Sequence, residues 1–281
     1  MSLSRTRLAF IGGGTMAEAM IRGILERRLV PPSRVQVSGP RRERRAELAK
    51  RFSIRAVASN AEAARGAQVV VLSVKPQMLQ AVMRDLRGKL TADQLVLSIV
   101  AGGTTRALRV GLDHAAIVRA MPNTPAQVAM GVSVWWATPS VVADQRERVR
   151  AILAALGEEL EVDDEDEVAM ATAVSGTGPT YVFLLMEALV DAGVHLGFSR
   201  RVAEELVLRT VEGSALFARR SGRHLAELRN MVTSPGGTSA SAIYQLEKGG
   251  LRTVLSKAVY AAYQRTRQLG DDADRRGAEP E

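Results

Sequence analysis

Apolar and polar residues alternate in blocks along the first half of the chain. Apolar runs of strand length stop at glycine or polar residues, and stretches with the apolar spacing of a helix follow them. The predicted strands are 7–11, 34–38, 54–57, 69–74, 95–100 and 116–120, and the predicted helices are 16–28, 41–51 and 60–66. Two of the strands, VVVLSV and LVLSIV, are continuously apolar, as in strands covered on both faces. This alternation predicts an α/β fold with a parallel sheet and right-handed crossovers.

The second half of the chain has helical patterning and little strand signal after the acidic stretch 158–167. Its predicted helices are 179–196, 200–220, 224–231 and 239–269. Apolar positions are too numerous in 181–189 and 203–216 for helices that bury one face. We therefore expect an all-α domain over 166–270 that associates with a second copy, the alternative being a self-contained helical bundle. Residues 271–281 are polar and are expected to form a disordered tail.

Composition removes several classes of chemistry. The 281 residues include no cysteine, which excludes disulfides, thiolate catalysis and cysteine metal sites. The three histidines, His114, His195 and His224, are too scattered for a local metal motif, so no metal is predicted. No apolar segment looks long enough to span a membrane, and the first residues lack a signal-peptide core. A cytoplasmic location without membrane partners is therefore expected.

The net charge of +8 raises the question of nucleic acid. The basic residues are spread out, apart from a local run at Arg41, Arg42, Arg44 and Arg45. Aromatic residues make up 4% of the chain and form no stripe with the basic ones. A small anionic ligand suits this run better than nucleic acid, which we do not expect as a partner.

A glycine loop follows the first predicted strand and opens the first helix. Residues 12–17 (GGGTMA) match G-x-G-x-x-G/A with Ala17 in the last position. Gly12 permits the turn, Gly14 lets a pyrophosphate approach the backbone, and Thr15 and Met16 begin the helix. With the alternation around it, the motif predicts a Rossmann-type doubly wound sheet that binds a dinucleotide over residues 1–165; the alternative is a glycine turn without a ligand.

The end of the second strand indicates which dinucleotide is bound. NAD sites usually place a carboxylate there, whereas this chain has Ser38 followed by Arg41 and Arg42. Arginine pairs with phosphate through a rigid fork of donors. The segment favours NADPH, with NADH as a substitute, over the alternative that these arginines form the solvated face of a helix.

The proton chemistry of a carbonyl reductase has no evident source in this sequence. None of the four tyrosines belongs to a Tyr-x-x-x-Lys motif, and His195 and His224 are expected to be structural. A protonated imine needs a proton donor less than a carbonyl does. This observation permits an imine substrate without requiring one.

The segment VTSPGGTSAS (232–241) interrupts the helical half with a Pro-Gly-Gly turn. Thr238, Ser239 and Ser241 follow, as at a helix start, and we expect the helix to begin near Ser239. The N–H groups of such a start can hold a carboxylate, and a hydroxyl at 238 or 239 can bind a substrate nitrogen. The alternative is an ordinary helix cap.

Five segments together resemble the pyrroline-5-carboxylate reductase family over nearly the whole chain. They are FIGGGTMAEAM (10–20), VVVLSVKPQ (69–77), RAMPNTPAQV (119–128), AVSGTGPTYVF (173–183) and VTSPGGTSASAIYQLEKGGLR (232–252). The first two occur in many related dehydrogenases, whereas the last two, in this order and spacing, are specific to the family. The resemblance implies reduction of 1-pyrroline-5-carboxylate to L-proline by NADPH.

The resemblance also implies roles for individual residues. Backbone N–H groups at Gly236 and Gly237 and at the next helix start would bind the substrate carboxylate. Ser239, usually threonine in the family, would place its hydroxyl near the ring nitrogen, and Thr238 would fill the preceding, variable position. These two are the candidate catalytic residues. The departure to serine keeps the hydroxyl and loosens its rotamer.

Further implied contacts belong to the cofactor. Met121 and Asn123 match the family's segment beside the nicotinamide, and Asn60 matches a contact with the adenosine phosphate or ribose. The implied turn beside the cofactor is Val74, Lys75 and Pro76, with Ser73 in place of alanine. Residues 176–179 (GTGP) resemble the family's G-S-G-P. The family's substrate pocket forms between subunits, which implies a homodimer or a decamer of five dimers.

Two other functions stay open at this point. Related two-domain 3-hydroxyacid dehydrogenases share the domain plan but use a lysine and an asparagine on the first interdomain helix, and 179–196 carries no lysine. A nucleotide-binding regulatory protein without catalysis is the other alternative, against which the intact 173–183 and 232–252 segments speak.

Overall fold

A computed structural model describes residues 3–278 of the chain. The chain forms two compact units. The first, here called the sheet unit, comprises Met1–Thr177 and Ala262–Glu281. The second, the helical unit, is Gly178–Ala261. The helical unit is therefore an insertion, with one chain connection into it and one out of it.

Eight strands build the central sheet. They are β1 Leu8–Ile11, β2 Val35–Ser38, β3 Arg55–Val57, β4 Val69–Leu72, β5 Leu95–Ser98, β6 Ile117–Pro122, β7 Gly131–Ala137 and β8 Gly157–Glu161. Their order is β3-β2-β1-β4-β5-β6-β7-β8. The first six are parallel, β7 runs antiparallel to β6, and β8 runs parallel to β7. The strand order reverses between β1 and β4, where doubly wound sheets bind ligands. The predicted Rossmann-type sheet is confirmed.

Twelve α-helices accompany the sheet in the described chain. They are α1 Thr15–Glu26, α2 Arg42–Phe52, α3 Asn60–Ala64, α4 Leu79–Leu86, α5 Thr105–Leu112, α6 Ala143–Ala154, α7 Glu165–Ala171, α8 Gly178–His195, α9 Arg200–Ser221, α10 Leu225–Met231, α11 Thr238–Lys248 and α12 Leu251–Ala278. A π-helical turn, Thr172–Gly176, continues α7 toward α8. The last five helices begin after Thr177, so the all-α character predicted for the second half is confirmed.

The core of the sheet unit lies on both faces of the sheet. Phe10 and Val71 belong to a buried cluster with α1 and α6, and Ile11 and Leu72 belong to another with α4 and α5. All four side chains are fully buried. Because successive strand residues point to opposite faces, strands covered on both faces read as continuous apolar runs.

Several elements escaped the sequence-based prediction. The strands β7 and β8 and the helices α4, α5, α6 and α7 were not predicted, and β8 overlaps the acidic stretch 158–167. In β8, Glu159 accepts a hydrogen bond from the indole of Trp135 at 2.6 Å, and Glu161 pairs with arginines of α6. Those partners let a strand carry three glutamates at the edge of the sheet. The predicted helix 239–269 is instead two helices, which are divided at Gly249 and Gly250, the latter with φ +71.

The expected disordered tail is corrected by the structure. Residues 271–278 belong to α12, and Asp274 accepts a hydrogen bond from the Thr104 hydroxyl. Tertiary contact thus orders a polar segment that its composition alone would leave disordered; residues 279–281 lie outside the described residues. The expected boundary near 165 also differs from the division observed, because α7 packs on β6 and β7 and stays with the sheet unit.

The helical unit buries almost none of its own apolar residues. Within it, only Val190 and Ala203 are buried, whereas Phe183, Leu184 and Leu196 are 58%, 65% and 82% exposed. A self-contained bundle would cover such side chains, because exposed apolar patches of this extent mark interaction surfaces. The unit therefore has the surface of an association domain.

One apolar stretch corrects the expectation that no segment reaches membrane-spanning length. By length and composition, residues 165–195 pass that test, with 22% of the apolar window buried within this protomer. A helix that a second subunit covers has the same composition, since its exposed side is apolar before association. Its hydropathy is thus explained by the surface just described.

Candidate active site

The glycine loop between β1 and α1 shows why each glycine is needed. Gly12 adopts φ +101, and a Cβ there would lie 2.7 Å from the Ser73 carbonyl oxygen. By contrast, a Cβ on Gly14 would meet nothing closer than that same oxygen, at 3.9 Å. Gly12 is thus required by the fold, whereas Gly14 leaves open space beside the backbone that a ligand can use.

The amino end of α1 presents donors into this space. Its first intrahelical bond runs from the Glu18 N–H to the Gly14 carbonyl, at 3.0 Å. The N–H groups of Thr15, Met16 and Ala17 precede it and lack an intrahelical acceptor. Gly14 caps the helix without a side-chain hydrogen bond. The loop is therefore suited to a pyrophosphate, as predicted from Gly12, Gly14, Thr15 and Met16.

The four arginines after β2 divide into two pairs. Arg44 donates to the Gly13 carbonyl at 2.9 Å, and Arg45 donates to the Gly39 carbonyl at 2.6 Å. Arg41 and Arg42 are exposed, and the described contacts contain no acceptor for either guanidinium. Arg44 and Arg45 therefore shape the loops, whereas the donors of Arg41 and Arg42 stay available, and a phosphate contact of Arg41 stays a prediction.

Ser38 and Asn60 are partners of each other in this structure. Ser38 is fully buried at the end of β2, and its hydroxyl donates to the Asn60 side-chain oxygen at 2.7 Å. Asn60 is the first residue of α3 rather than its cap, because Ser59 caps that helix by accepting from the Glu62 N–H. The sequence assigns both residues to the cofactor, which stays a prediction, and it gave no sign of their contact with each other.

Glu18 is a charged centre beside the glycine loop that sequence reasoning missed. Its carboxylate pairs with Arg44 and Arg51, each at 2.5 Å, and with Arg22 at 3.1 Å. Burial raises the pKa of Glu18, but the hydrogen bonds and charges of these arginines outweigh it and hold the pKa below its ordinary value. The negative charge of Glu18 beside the glycine loop is thus neutralised by three arginines.

Two more loops at the carboxyl edge of the sheet carry predicted cofactor residues. Val74, Lys75 and Pro76 follow β4, where the Ser73 hydroxyl donates to the Gly12 carbonyl at 2.8 Å. This bond ties the β4 turn to the glycine loop. It also gives a structural use for the serine that stands where the family has alanine.

The end of β6 carries the other predicted cofactor residues. Met121 is 8% exposed, and a Cβ on Gly176 would lie 3.2 Å from its Cγ. The Asn123 side-chain oxygen accepts the Val132 N–H at 3.0 Å, which fixes the start of β7. The predicted cofactor residues therefore lie at the carboxyl ends of strands of one sheet, like Ser38 and Met121, or in the segments that follow those ends.

The predicted substrate residues lie in the helical unit, at the start of α11. The Gly237 N–H donates to the Ser234 carbonyl at 3.1 Å across a turn in which Gly236 has φ +71. That positive φ in the third position of a turn is why glycine stands there. The helix begins at Thr238, one residue earlier than expected.

The amino end of α11 does not use the neighbouring hydroxyls. Gly237 is the cap and has no side-chain cap hydrogen bond. Ser239 is half-buried, Thr238 is exposed, and the described hydrogen bonds include neither hydroxyl. An ordinary Ser or Thr cap, the alternative left open by the sequence, is therefore not what the structure contains. The first-turn N–H groups and two hydroxyls point to a site for an anion with a neighbouring polar atom.

The histidines offer no catalytic arrangement. His114 is buried with its Nε2 atom 2.8 Å from the Gln94 carbonyl, and His224 caps α10 by accepting the Ala226 N–H at 3.2 Å. The described residues contain no cluster of histidines and carboxylates that could hold a metal ion. The cap bond of His224 is a structural role, as expected for this residue.

Comparisons with known proteins find a family model that matches each half of the chain. The profile described as pyrroline-5-carboxylate reductase dimerisation matches residues 165–269. A profile described as NADP oxidoreductase, coenzyme F420-dependent, matches residues 7–102. A Pseudomonas aeruginosa pyrroline-5-carboxylate reductase is 44% identical over 270 residues, covering 96% of this chain and 98% of that protein. The enzyme of that name from Synechocystis is 40% identical, covering 94% and 98%.

Solved structures agree in fold. A pyrroline-5-carboxylate reductase from Coxiella burnetii superposes with a TM-score of 0.86 at 37% identity, covering 94% of this chain and 98% of that one. The Plasmodium falciparum pyrroline carboxylate reductase with NADP bound superposes with a TM-score of 0.87 at 31% identity, covering 95% and 99%. The likeness therefore covers nearly the whole chain.

Proposed function

The chain belongs to the pyrroline-5-carboxylate reductase family, and we propose how its own residues perform the reaction of that family. The protein is an NAD(P)H-dependent oxidoreductase that reduces 1-pyrroline-5-carboxylate to L-proline, the last step of proline biosynthesis. The dehydrogenase and regulatory alternatives are not favoured. Of the observations above, the uncapped start of α11 carries the proposal, because its N–H groups and hydroxyls have no other task in the structure.

The residues present fit the dinucleotide. The open space at Gly14 is what a side chain would fill, and the first-turn N–H groups of α1 would hold the pyrophosphate. Arg41, with Ser38 and Asn60 beside it, would hold the adenosine end, and Met121 and Asn123 would lie beside the nicotinamide. When bound, the reduced nicotinamide supplies a hydride for the imine carbon.

The substrate would be held by the α11 turn. Backbone N–H groups from Gly236 to Ser239 bind the ring carboxylate, where the helix dipole adds to the attraction. The Ser239 hydroxyl bonds the ring nitrogen, with Thr238 next to it. No strong acid is required, because the imine can be taken from solution already protonated, and the protein contributes orientation and charge placement.

A single assay tests this function. Purified protein is mixed with NADPH and 1-pyrroline-5-carboxylate, and NADPH oxidation is followed by absorbance while proline is measured as product. Proline formation equal to NADPH consumed is expected. A 3-hydroxyacid dehydrogenase would instead respond to hydroxy acids, and a regulatory protein would bind NADPH without turnover; either result contradicts the proposal.

Cofactor choice is tested at Arg41, whose guanidinium has no acceptor among the described contacts. The change Arg41→Ala should raise the KM for NADPH about tenfold and leave that for NADH nearly unchanged, because a single charge-assisted contact to the extra phosphate is lost. Steady-state kinetics with both cofactors measure this ratio. Arg45→Ala is the control, since Arg45 bonds carbonyls of its own loop. Equal losses with both cofactors would show that Arg41 does not read the 2′-phosphate.

The family shows that the chain forms oligomers, and we propose the number of subunits. Oligomerisation follows from the dimerisation domain and from the exposed apolar surface of the helical unit. We assign a homodimer, or five such dimers in a decamer, working in the cytoplasm without nucleic-acid or membrane partners. Light scattering after size-exclusion chromatography measures the mass, and a monomer at micromolar concentration would contradict the assignment.

A further inference from the structure

The middle of the glycine loop is held by a side chain of α2. The Arg44 Nε atom donates to the Gly13 carbonyl at 2.9 Å. The loop also packs closely on that helix, because a Cβ on Gly13 would lie 2.7 Å from the Cδ1 atom of Leu48. The loop between β1 and α1 is thus fastened to α2 at Gly13.

Arg44 is itself held by two carboxylates. Its guanidinium pairs with Glu18 at 2.5 Å and with Glu47 at 2.8 Å, in addition to the bond to Gly13. A guanidinium presents its donors in a rigid fork, so acceptors for three of its nitrogen atoms fix its orientation. The Glu18 side chain is 12% exposed and that of Glu47 is 53% exposed, so Glu18 is the more firmly placed of the two acids.

The direction of the Gly13 carbonyl determines the direction of the next N–H group. The carbonyl and the following N–H of a trans peptide point in opposite directions, and the peptide between Gly13 and Gly14 is trans. Because the carbonyl is directed at Arg44, the Gly14 N–H points away from Arg44. Among the described contacts this N–H has no acceptor, and the space beside Gly14 is open. A donor beside the open space is therefore held in place by a bond on the other side of its peptide.

A peptide between two glycines needs such a restraint more than others do. Gly13 and Gly14 have no Cβ atoms, so the backbone on either side of this peptide has more conformations available. Rotation of the peptide would turn the Gly13 carbonyl oxygen, in place of the Gly14 N–H, toward the open space. An oxygen in that direction would repel a phosphate, whereas an N–H attracts it.

We propose that Arg44 is a positioning residue for the dinucleotide, which fixes the peptide between Gly13 and Gly14 so that the Gly14 N–H faces the pyrophosphate, and that Glu18 holds Arg44 in place. The inference rests on the cofactor site of the proposed function, and all of these residues belong to the sheet unit. Arg44 and Glu18 act through the backbone and make no contact with the dinucleotide. Their loss therefore lowers the affinity for ligands that carry a pyrophosphate.

The first test compares two ligands on the variant Arg44→Lys. Lysine keeps the charge, but a single ammonium group cannot reproduce the fork that reaches both Gly13 and Glu18. The Kd for NADPH, measured by its fluorescence without substrate, should rise about tenfold, the effect of losing one hydrogen bond. Adenosine 2′-monophosphate, which lacks the pyrophosphate, should compete with an inhibition constant within about twofold of that for the parent. Damage to the whole cofactor site would weaken both ligands.

The matched control is Arg51→Lys. Arg51 also pairs with Glu18 at 2.5 Å, but the described contacts include no bond from it to the glycine loop. Its replacement should leave the Kd for NADPH within about twofold of the parent. Thermal unfolding establishes that both variants are folded at the temperature of the titration.

A variant of Glu18 separates positioning from charge. If charge alone acted, removal of a carboxylate near the pyrophosphate would strengthen NADPH binding. Because a neutral amide holds a guanidinium less firmly than a carboxylate does, Glu18→Gln should instead weaken NADPH binding about threefold. The binding of adenosine 2′-monophosphate should again match that of the parent.

Three results would overturn the inference. They are an unchanged Kd for NADPH in Arg44→Lys, equal losses of affinity for both ligands, and tighter NADPH binding by Glu18→Gln. The failure of the proposed function is a different observation. It would appear as an unmodified protein that binds NADPH but does not reduce the imine.

Discussion

At the residue scale, Ser239 lies at a helix start that its own hydroxyl does not cap. Helices usually recruit a nearby serine or threonine to cap their first N–H groups. Here Gly237 takes the cap position, although two hydroxyl residues follow it directly. Their side chains consequently add little to the stability of α11, and we propose them for substrate binding for this reason.

We expect Ser239→Ala to lower kcat for imine reduction about tenfold, the effect of losing one hydrogen bond to the ring nitrogen. NADPH affinity and thermal stability should stay close to those of the parent, because the hydroxyl neither caps α11 nor belongs to the sheet unit. Kinetics, NADPH titration and thermal unfolding are the measurements. Ser241→Ala is the control, since Ser241 lies two positions further along the same helix start. A parallel loss of stability and turnover would mean that Ser239 is structural.

Glu18 gives a pH dependence of stability. Its folded pKa is lowered, so the stability it contributes is present above its unfolded pKa, about 4.3, and is lost as the pH falls through the folded value. Glu18→Gln should therefore destabilise the protein by about 1–2 kcal/mol at neutral pH and by less in acid. Urea unfolding between neutral and acidic pH measures the difference. Glu43→Gln, on the exposed start of α2, should show no such trend; a deficit for Glu18→Gln that persists in acid would contradict the assignment.

At the element scale, the turn from β1 into α1 separates two uses of glycine. Gly12 has a left-handed backbone and no room for a Cβ, whereas Gly14 has an ordinary backbone, with φ −75, and open space. Only the first is needed to fold the turn. A glycine is needed at position 14 only if a ligand comes close to the backbone there.

The matched variants are Gly12→Ala and Gly14→Ala. Gly12→Ala should destabilise the sheet unit by about 1–3 kcal/mol, the cost of a strained backbone and a clash with the Ser73 carbonyl. Gly14→Ala should leave the melting temperature unchanged but weaken NADPH binding about tenfold or more, because the methyl group occupies the pyrophosphate position. Calorimetric melting and NADPH titration distinguish them. Unchanged NADPH affinity in Gly14→Ala would show that the cofactor does not bind at this loop.

The elements also show what the sequence could and could not predict. The six parallel strands were predicted because each is a short apolar run that ends at a loop signal. By contrast, β8 was missed because its glutamates are satisfied by Trp135 and by arginines of α6, partners that are distant in the chain. The contacts among Glu18 and its arginines were hidden for the same reason, since 26 residues separate Glu18 from Arg44. Local sequence patterns thus predict the loops, whereas contacts between residues distant in the chain determine β8 and the arginine partners of Glu18.

At the scale of the whole molecule, the helical unit depends on association. Its own packing buries Val190 and Ala203, and large apolar side chains stay exposed along α8 and α9. The excess of apolar positions was evident in the sequence and predicted association, whereas the particular side chains that stay exposed were not evident. A covering of these helices by a second copy accounts for both observations.

We expect Leu184→Glu to shift the protein to a smaller assembly and to lower activity, because a charge placed in an apolar interface is left without a partner. Light scattering and activity measured over a dilution series test this. Val110→Glu is the control, since Val110 is 47% exposed on α5 of the sheet unit. Retention of the full assembly by Leu184→Glu would show that this part of α8 does not lie in the interface.

The discontinuous sheet unit has a consequence for biosynthesis. The ribosome makes residues 1–177 first, then the insertion, and only afterwards the end of α12 that docks on the β5–α5 loop. Until that helix emerges, the sheet unit of the nascent chain lacks its last helix, while the helices of the insertion expose their apolar side chains. The sheet unit can therefore complete its packing only after residues 262–278 have emerged, and a nascent chain without them leaves the β5–α5 loop exposed to chaperones and proteases.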